Sequence, residues 1–67
     1  SDIAVELGHL IDQGNTRARQ VLDKMRQDFE TPETAEGFEK IAALLDGYDF
    51  EEARALLDTI LQDIGRD

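Results

Sequence analysis

Apolar residues recur at helical spacing along the whole chain, and no run of β-branched residues interrupts them. The pattern divides the chain into four predicted helices, at residues 2–13, 16–29, 32–46 and 50–64. Gly14, Gly47 and Gly65 follow three of these stripes, and glycine often ends a helix because it adopts a left-handed backbone without steric cost. The sequence therefore predicts an all-α fold.

Short polar or helix-starting residues stand where the helices are expected to begin. Asn15 and Asp49 precede the second and fourth helices, where their side chains can accept hydrogen bonds from free backbone N–H groups. Thr31 precedes the third, and Pro32 suits its first position because the N–H that proline lacks has no partner there. Glu52 follows Asp49 at capping-box spacing. The connections are therefore short, which makes consecutive helices antiparallel.

Two similar phrases occupy the two halves of the chain. "LIDQGNTRARQVLD" starts at Leu10 and "LLDGYDFEEARALLD" at Leu44; the starts lie 34 residues apart and the ends 35. Each phrase covers the end of one helix, a turn and the inward stripe of the next helix. One hairpin cannot bury both of its stripes, whereas two stacked hairpins can. The repeat therefore predicts a small four-helix bundle made of two antiparallel hairpins. Its predicted core consists of the large apolar residues Leu7, Leu10, Ile11, Leu22, Met25, Phe38, Ile41, Leu45, Leu56, Leu57, Ile60 and Leu61.

The second turn carries two aromatic residues that are expected to close one end of the core. Tyr48 could pack on Ala53 as a hydrophobic staple, and Phe50 is expected to fold over the end of the core. Gly8 and Gly37 lie inside predicted helices. Each is either simply tolerated or permits a close approach between helices, and the sequence leaves both readings open.

Length and composition predict one domain over residues 1–67. The chain has no cysteine, no apolar run of the roughly 20 residues that a membrane span needs, and no signal-peptide pattern. A soluble, cytoplasmic domain is expected. Because the chain starts at Ser1 without Met, it is expected to be a piece excised from a larger multidomain protein.

The chain carries a net charge of −9, from 16 acidic and 7 basic residues. This balance argues against binding nucleic acid or an anionic membrane, which requires clustered Lys and Arg, and it favours basic partners. Four bases lie within ten residues: Arg17, Arg19, Lys24 and Arg26. They are expected to neutralise acidic neighbours inside the fold rather than to form a docking patch.

The residues needed for catalysis are scarce. His9 is the only histidine and Ser1 the only serine, and a nucleophile–base pair with His9 would need a threonine, none of which lies near it in the sequence; the chain also has no phosphate-binding or calcium-binding loop. Glu6 and Asp12 flank His9 by one helical turn, a spacing that chance produces readily in so acidic a chain. We therefore expect no enzyme activity, no cofactor and no metal site.

His9 is also the candidate phosphoacceptor, because histidine phosphotransfer domains expose one histidine on a four-helix bundle. Those domains carry a pattern like His-x-x-Lys-Gly, whereas Asp12 stands here in the place of the lysine. A carboxylate one turn away repels a phosphohistidine, and no Lys or Arg lies one turn from His9 in the sequence to offset it. An exposed histidine without a chemical role is the preferred interpretation.

The two phrases "LIDQGNTRARQVLDKM" and "YDFEEARALLDTIL" carry a family resemblance. The first phrase has apolar, turn and alanine residues at Leu7, Leu10, Ile11, Gly14, Asn15, Ala18, Val21 and Leu22. The second has the run Tyr48, Asp49, Phe50 and Glu51, followed by Ala53 and Leu57. This arrangement resembles the C-terminal helical module of bacterial hybrid sensor histidine kinases. The resemblance implies a phosphotransfer-like bundle without the active phrase, which regulates two-component signalling by contacting a receiver or kinase domain.

Three other interpretations stay open. The chain could be a docking or dimerisation domain of another multidomain protein such as a modular synthase, and it could then form a homodimer. It could be a fragment of a helical repeat array, since the period of 34 to 35 residues is close to that of tetratricopeptide repeats, although their Trp and Gly/Tyr signature positions are absent. It could also be a true phosphotransfer domain that uses His9.

Overall fold

The computed structural model describes residues 2–65 and confirms the all-α fold. Its helices are α1 (Asp2–Asp12), α2 (Ala18–Phe29), α3 (Ala35–Asp46) and α4 (Phe50–Ile64). Positions 1, 66 and 67 of the predicted domain lie outside the described residues. Across residues 2–65, no helix combines the length and the apolar character that crossing a membrane requires.

Helix α3 starts three residues later than predicted, because a capping motif precedes it. Thr34 Oγ1 accepts a hydrogen bond from the Thr31 N–H at 2.9 Å, and Thr31 Oγ1 accepts one from the Thr34 N–H at 3.3 Å. The Ala35 N–H then donates to the Thr31 carbonyl at 2.9 Å, with the i to i−4 spacing of an α-helix. Thr34, and not the predicted Thr31, is therefore the N-cap of α3, and the two threonines exchange hydrogen bonds in the turn before the helix.

Helix α2 also starts later than predicted, at Ala18 instead of residue 16. The N-cap of α2 is Arg17 and not the predicted Asn15, whose Oδ1 accepts a hydrogen bond from the Arg17 N–H at 2.9 Å in the turn before the helix. The N–H groups of Ala18 and Arg19 donate to the carbonyls three residues before them, so the chain enters α2 through a 3₁₀ turn.

The first hairpin turn closes α1 with a Schellman motif, the pair of backbone hydrogen bonds that satisfies the last carbonyls of many helices. The Gly14 N–H donates to the Ile11 carbonyl and the Asn15 N–H donates to the Leu10 carbonyl, both at 2.9 Å. Gly14 has a φ of 63°, so the predicted left-handed glycine is confirmed.

The second hairpin turn uses the same motif with a different residue at its centre. The Tyr48 N–H donates to the Leu45 carbonyl at 3.0 Å and the Asp49 N–H to the Leu44 carbonyl at 2.8 Å. Tyr48, with a φ of 61°, adopts the left-handed backbone, while Gly47 before it has a φ of −93°. Gly47 thus follows the last residue of α3 as predicted, but it is not the left-handed residue.

Asp49 occupies the N-cap position of α4, but the predicted capping box is wrong. Within residues 2–65 the Asp49 carboxylate accepts no cap hydrogen bond. The Asp49 N–H, to which Glu52 would have to bond, already donates to the Leu44 carbonyl in the Schellman motif. The same backbone group cannot serve both motifs.

The helices form a closed ring in which each contacts two neighbours. Helix α1 packs on α2 and α4, and helix α3 packs on α2 and α4, whereas in residues 2–65 no Cα atoms of the diagonal helices approach within 8 Å of each other. The short turns make chain neighbours antiparallel, and an ion pair between Asp12, at the end of α1, and Arg54, near the start of α4, shows the same for these two helices. This arrangement confirms a small four-helix bundle.

The core agrees with the prediction except at two leucines. The buried apolar residues are Ala4, Leu7, Leu10, Ile11, Ala18, Val21, Leu22, Met25, Phe38, Ile41, Ala42, Leu45, Ala53, Leu57 and Ile60. Leu56 and Leu61, predicted in the core, are only partly buried and pack against its edge. Gly37 permits a close contact, since a Cβ there would lie 2.7 Å from the Ile60 Cδ1.

A pseudo-two-fold relation between the two hairpins accounts for the repeated phrase. A shift of 34 residues relates α1 to α3, and a shift of 35 relates α2 to α4, because the second connection is one residue longer. Leu7 and its equivalent Ile41 are both fully buried, as are Leu22 and its equivalent Leu57. Positions related by these shifts therefore occupy matching places in the bundle.

Candidate functional site

His9, the candidate phosphoacceptor, lies on the exposed side of α1. Gly8 beside it is buried, because the Arg54 side chain crosses over it from α4. A Cβ at position 8 would come within 2.8 Å of the Arg54 Cζ, so an alanine would displace the guanidinium. Gly8 thus permits a close approach between helices, but the approaching group is the Arg54 side chain and not the backbone of α4.

Arg54 joins Asp12 and Asp58 in a charged cluster near His9. Its Nε lies 3.1 Å from Asp12 Oδ1, and its Nη1 lies 3.3 Å from Asp58 Oδ1. No cation lies one turn from His9 along the sequence, but the fold brings one from α4. The cluster still holds two carboxylates against one guanidinium, so a phosphate on His9 would face a net negative group.

A second cluster occupies the pseudo-symmetric place. Arg19, the equivalent of Arg54, contacts Asp23 in its own helix, and its Nε lies 3.1 Å from Asp46 Oδ1 in α3. The arginine of each hairpin therefore reaches the aspartate that ends the first helix of the other hairpin. This exchange explains why both phrases contain Leu-(Ile/Leu)-Asp and Ala-Arg followed by Leu-Asp.

The basic segment of α2 therefore neutralises acidic neighbours, as predicted, at Arg19 and Arg26. Arg26 Nε donates to Glu30 Oε1, and this hydrogen bond raises the pKa of the Arg26 guanidinium above its ordinary value. Arg26 consequently remains a cation paired with its own helix end.

An open groove with a volume of about 420 Å³ lies between α1 and α4 and reaches the end of α2; we call it the α1/α4 groove. Its apolar part is lined by Ala4, Val5, Phe29, Leu61 and Ile64, above the buried Met25. Its polar part is lined by His9, Arg54 and Asp58. Val5, Phe29 and Ile64 are 57%, 37% and 40% exposed, which leaves their apolar surface available for contact.

Sequence reasoning missed this groove. Val5 falls outside the apolar stripe of α1, and this was the one signal of an exposed apolar residue. Phe29 and Ile64 belong to the inward stripes by spacing, but they are the last residues of α2 and α4, where the bundle ends. Helical periodicity does not reveal which helix ends remain uncovered.

The two aromatic residues of the second turn differ in their roles. Phe50 is half-buried, packs against the core and lies 3.8 Å from where a Gly14 Cβ would be, so its predicted closing role is confirmed. Tyr48 is 68% exposed and stands beside Phe50, with ring centroids 6.3 Å apart. Tyr48 therefore projects from the turn instead of acting as a buried staple on Ala53.

The described part of the chain holds no group of three or more His, Cys, Asp or Glu residues placed to bind a metal ion. The α1/α4 groove thus combines apolar surface with one imidazole and one ion-paired cluster. Comparison with protein-family models, curated proteins and solved structures finds no match to this chain.

Proposed function

We propose that this chain is a non-catalytic protein-interaction module of a two-component hybrid sensor histidine kinase, and that it acts in the cytoplasm. Its partner is a receiver or kinase domain. The observation that carries a binding role is the α1/α4 groove, and the signalling context rests on the resemblance of the two repeated phrases to the kinase module.

The exposed apolar residues favour a binding surface over a plain solvated face. Among residues 2–65 the large apolar side chains that are exposed are Val5, Phe29, Tyr48 and Ile64, and three of these four line the groove. Scattered exposed apolar residues are ordinary on soluble proteins. Several that gather in one concave surface are typical of an interaction site.

The polar residues of the groove favour binding without turnover. A nucleophilic mechanism with His9 as base needs a hydroxyl or thiol within hydrogen-bond reach of the imidazole. The residues that line the groove include none with either group. Arg54 is occupied by two carboxylates, so it is not free to stabilise a developing negative charge.

One observation favours phosphotransfer through His9 as a second candidate function. Arg54 crosses Gly8 and lines the groove together with His9, so a cation is present near the imidazole. The net negative charge of the Asp12–Arg54–Asp58 cluster argues in the other direction. We therefore expect no stable phosphohistidine.

Incubation with phosphorylated receiver and kinase domains from the same genome separates the two functions. The proposed module binds one of these domains but acquires no acid-labile phosphate. Phosphate that appears on the wild type and disappears in His9→Gln would establish the phosphotransfer function instead.

The binding arm of the experiment uses matched variants. Val5→Ser removes an apolar contact from the groove, and Tyr48→Ser removes an exposed apolar residue elsewhere. We expect only the first change to weaken binding to the partner domain. If no receiver or kinase domain binds, the signalling role is wrong and the docking or dimerisation alternative becomes the better account.

A further inference from the structure

The pseudo-two-fold relation supplies an internal reference for the α1/α4 groove. The face equivalent to it lies between α3 and α2, and we call it the α2/α3 face. Ala4, Val5 and Leu61 of the groove correspond there to Phe38, Glu39 and Arg26. Phe38 is fully buried, so a large core side chain stands where the α1/α4 groove has the small side chain of Ala4.

At two positions of the α2/α3 face a charged residue replaces an apolar one. Glu39 is exposed in place of Val5, and Arg26, paired with Glu30, stands in place of Leu61. The same scaffold can therefore carry charge at positions where the groove is apolar. The open, apolar state of the α1/α4 groove is consequently a property of its own residues and not of the fold.

The surroundings of the groove are acidic. Residues 3–12 of α1 carry Glu6 and Asp12 and no Lys or Arg. Helix α4 adds four carboxylates and one base: Glu51, Glu52, Asp58, Asp63 and Arg54. Helix α2, by contrast, carries three bases and two acids: Arg19, Lys24, Arg26, Asp23 and Asp28. Three of these carboxylates lie near the groove: Asp58 lines it, Asp12 belongs to the same cluster around Arg54, and Asp63 lies beside Phe29 and Ile64 at the end of the bundle.

We propose that the α1/α4 groove binds an amphipathic helix whose apolar side is flanked by Lys and Arg. The proposal rests on the interaction function above and names its partner. An amphipathic helix places apolar residues at i, i+3, i+4 and i+7 into a groove between two helices. Its basic flanks meet Asp12, Asp58 and Asp63 beside the groove, and the net charge of −9 attracts a basic helix to the protein, which speeds association and selects against acidic helices.

A designed peptide tests this proposal without knowledge of the natural partner. The probe is a labelled peptide of about 18 residues, long enough to form a helix, with Leu at helical spacing and Lys elsewhere. Control peptides have the same composition in scrambled order, or Glu in place of Lys. Fluorescence anisotropy measures binding, and circular dichroism measures the helix gained. We expect the basic amphipathic peptide alone to bind, with an affinity that falls as salt rises.

Protein variants locate the binding surface. Val5→Ser and Ile64→Ser should each weaken binding about fivefold or more, as loss of a central apolar contact does. Tyr48→Ser, a matched change at an exposed position outside the groove, should change it less than about twofold. Ala4→Phe introduces the ring of the equivalent Phe38 and should abolish binding. Thermal melts check the fold, and the two serine variants decide the outcome if Ala4→Phe unfolds.

Several outcomes would overturn the proposal. Equal binding of the scrambled peptide, or no effect of Val5→Ser and Ile64→Ser, would mean that charge alone attracts the peptide. A homodimer in light scattering that Val5→Ser dissociates would make a second copy the occupant. A receiver domain that binds through Val5 while the peptide does not would overturn the helix proposal and keep the proposed function. If the peptide binds and no signalling domain binds, the helix proposal stands and the proposed signalling function is wrong.

Discussion

The first hairpin turns at Gly14 and the second at Tyr48, although both turns contain the same pair of backbone hydrogen bonds. A glycine is present in the second turn but stands one residue too early, at Gly47. A non-glycine residue in the left-handed region costs roughly 1–2 kcal/mol. The hydrogen bonds of the Schellman motif, and not the position of the glycine, thus decide which residue takes that conformation.

The α1/α4 groove and the α2/α3 face also differ, although the scaffold beneath them is repeated. The scaffold repeats its buried leucines and its arginine–aspartate clusters, while Ala4 is matched by Phe38 and Val5 by Glu39. The residues that join the hairpins are therefore alike in both halves, whereas the exposed pair Val5 and Glu39 and the buried pair Ala4 and Phe38 differ. Comparison of matched positions separates what the fold requires from what a partner requires.

The largest effects are expected in the shared core. Leu22→Ala and Leu57→Ala remove equivalent, fully buried side chains, and each should lower the free energy of unfolding by about 2–5 kcal/mol. Urea titrations of the two variants measure the losses. A loss below about 1 kcal/mol at either position would break the equivalence of the hairpins.

The turns should respond in opposite directions. Gly14→Ala forces a side chain into the left-handed region and should lower the free energy of unfolding by about 1 kcal/mol. Tyr48→Gly relieves that strain and should raise it by about 0.5 kcal/mol, since the ring is mostly exposed. Thermal melts at equal protein concentration compare them. A destabilised Tyr48→Gly would show that the contact with Phe50 outweighs the strain.

Asn15 and Asp49, which precede α2 and α4, should differ in how much they stabilise the fold and in how salt changes that contribution. Asn15→Ala should cost about 1 kcal/mol because its side chain accepts the Arg17 N–H. Sequence reasoning assigns a similar cost to Asp49→Ala, but without a cap hydrogen bond we expect about 0.5 kcal/mol, from its charge at the start of α4. The Asp49 effect should vanish in about 1 M salt, while the Asn15 effect persists. Equal, salt-independent losses would mean that Asp49 caps through its side chain.

The ion pairs between hairpins should give the smallest effects. Double-mutant cycles on Arg19 with Asp46 and on Arg54 with Asp12 should each yield a coupling of about 0.2–1 kcal/mol, because all four side chains are at least one-third exposed. The two couplings should agree within about 0.5 kcal/mol. A coupling at one pair only would show that the exchange is not symmetric in energy.

Local features of the fold could be predicted from the sequence. The helices, the hydrogen-bonding side chains of Asn15 and Thr31 in the turns before α2 and α3, and the left-handed Gly14 depend on residues within a few positions of one another. The capping box at Asp49 failed because two local motifs competed for one N–H group. Sequence rules score each motif separately and do not resolve such competition.

The candidate site could not be predicted in the same way. Arg54 lies 42 residues from Asp12 in the chain, and their contact depends on α4 packing beside α1. The groove depends on the same packing and on the small side chain of Ala4. In the sequence, the one sign of the groove was Val5, an apolar residue that lies outside the apolar stripe of α1.

Amide chemical-shift mapping tests the central claim most directly, namely that one of two equivalent faces is a binding surface. The basic amphipathic peptide is titrated into ¹⁵N-labelled protein, and both faces are read in one experiment. We predict saturable shifts in the α1/α4 groove, at Val5, His9 and Ile64, and little change at Glu39 and Ala43 on the α2/α3 face. Shifts of equal size on both faces, or shifts confined to the α2/α3 face, would contradict the account.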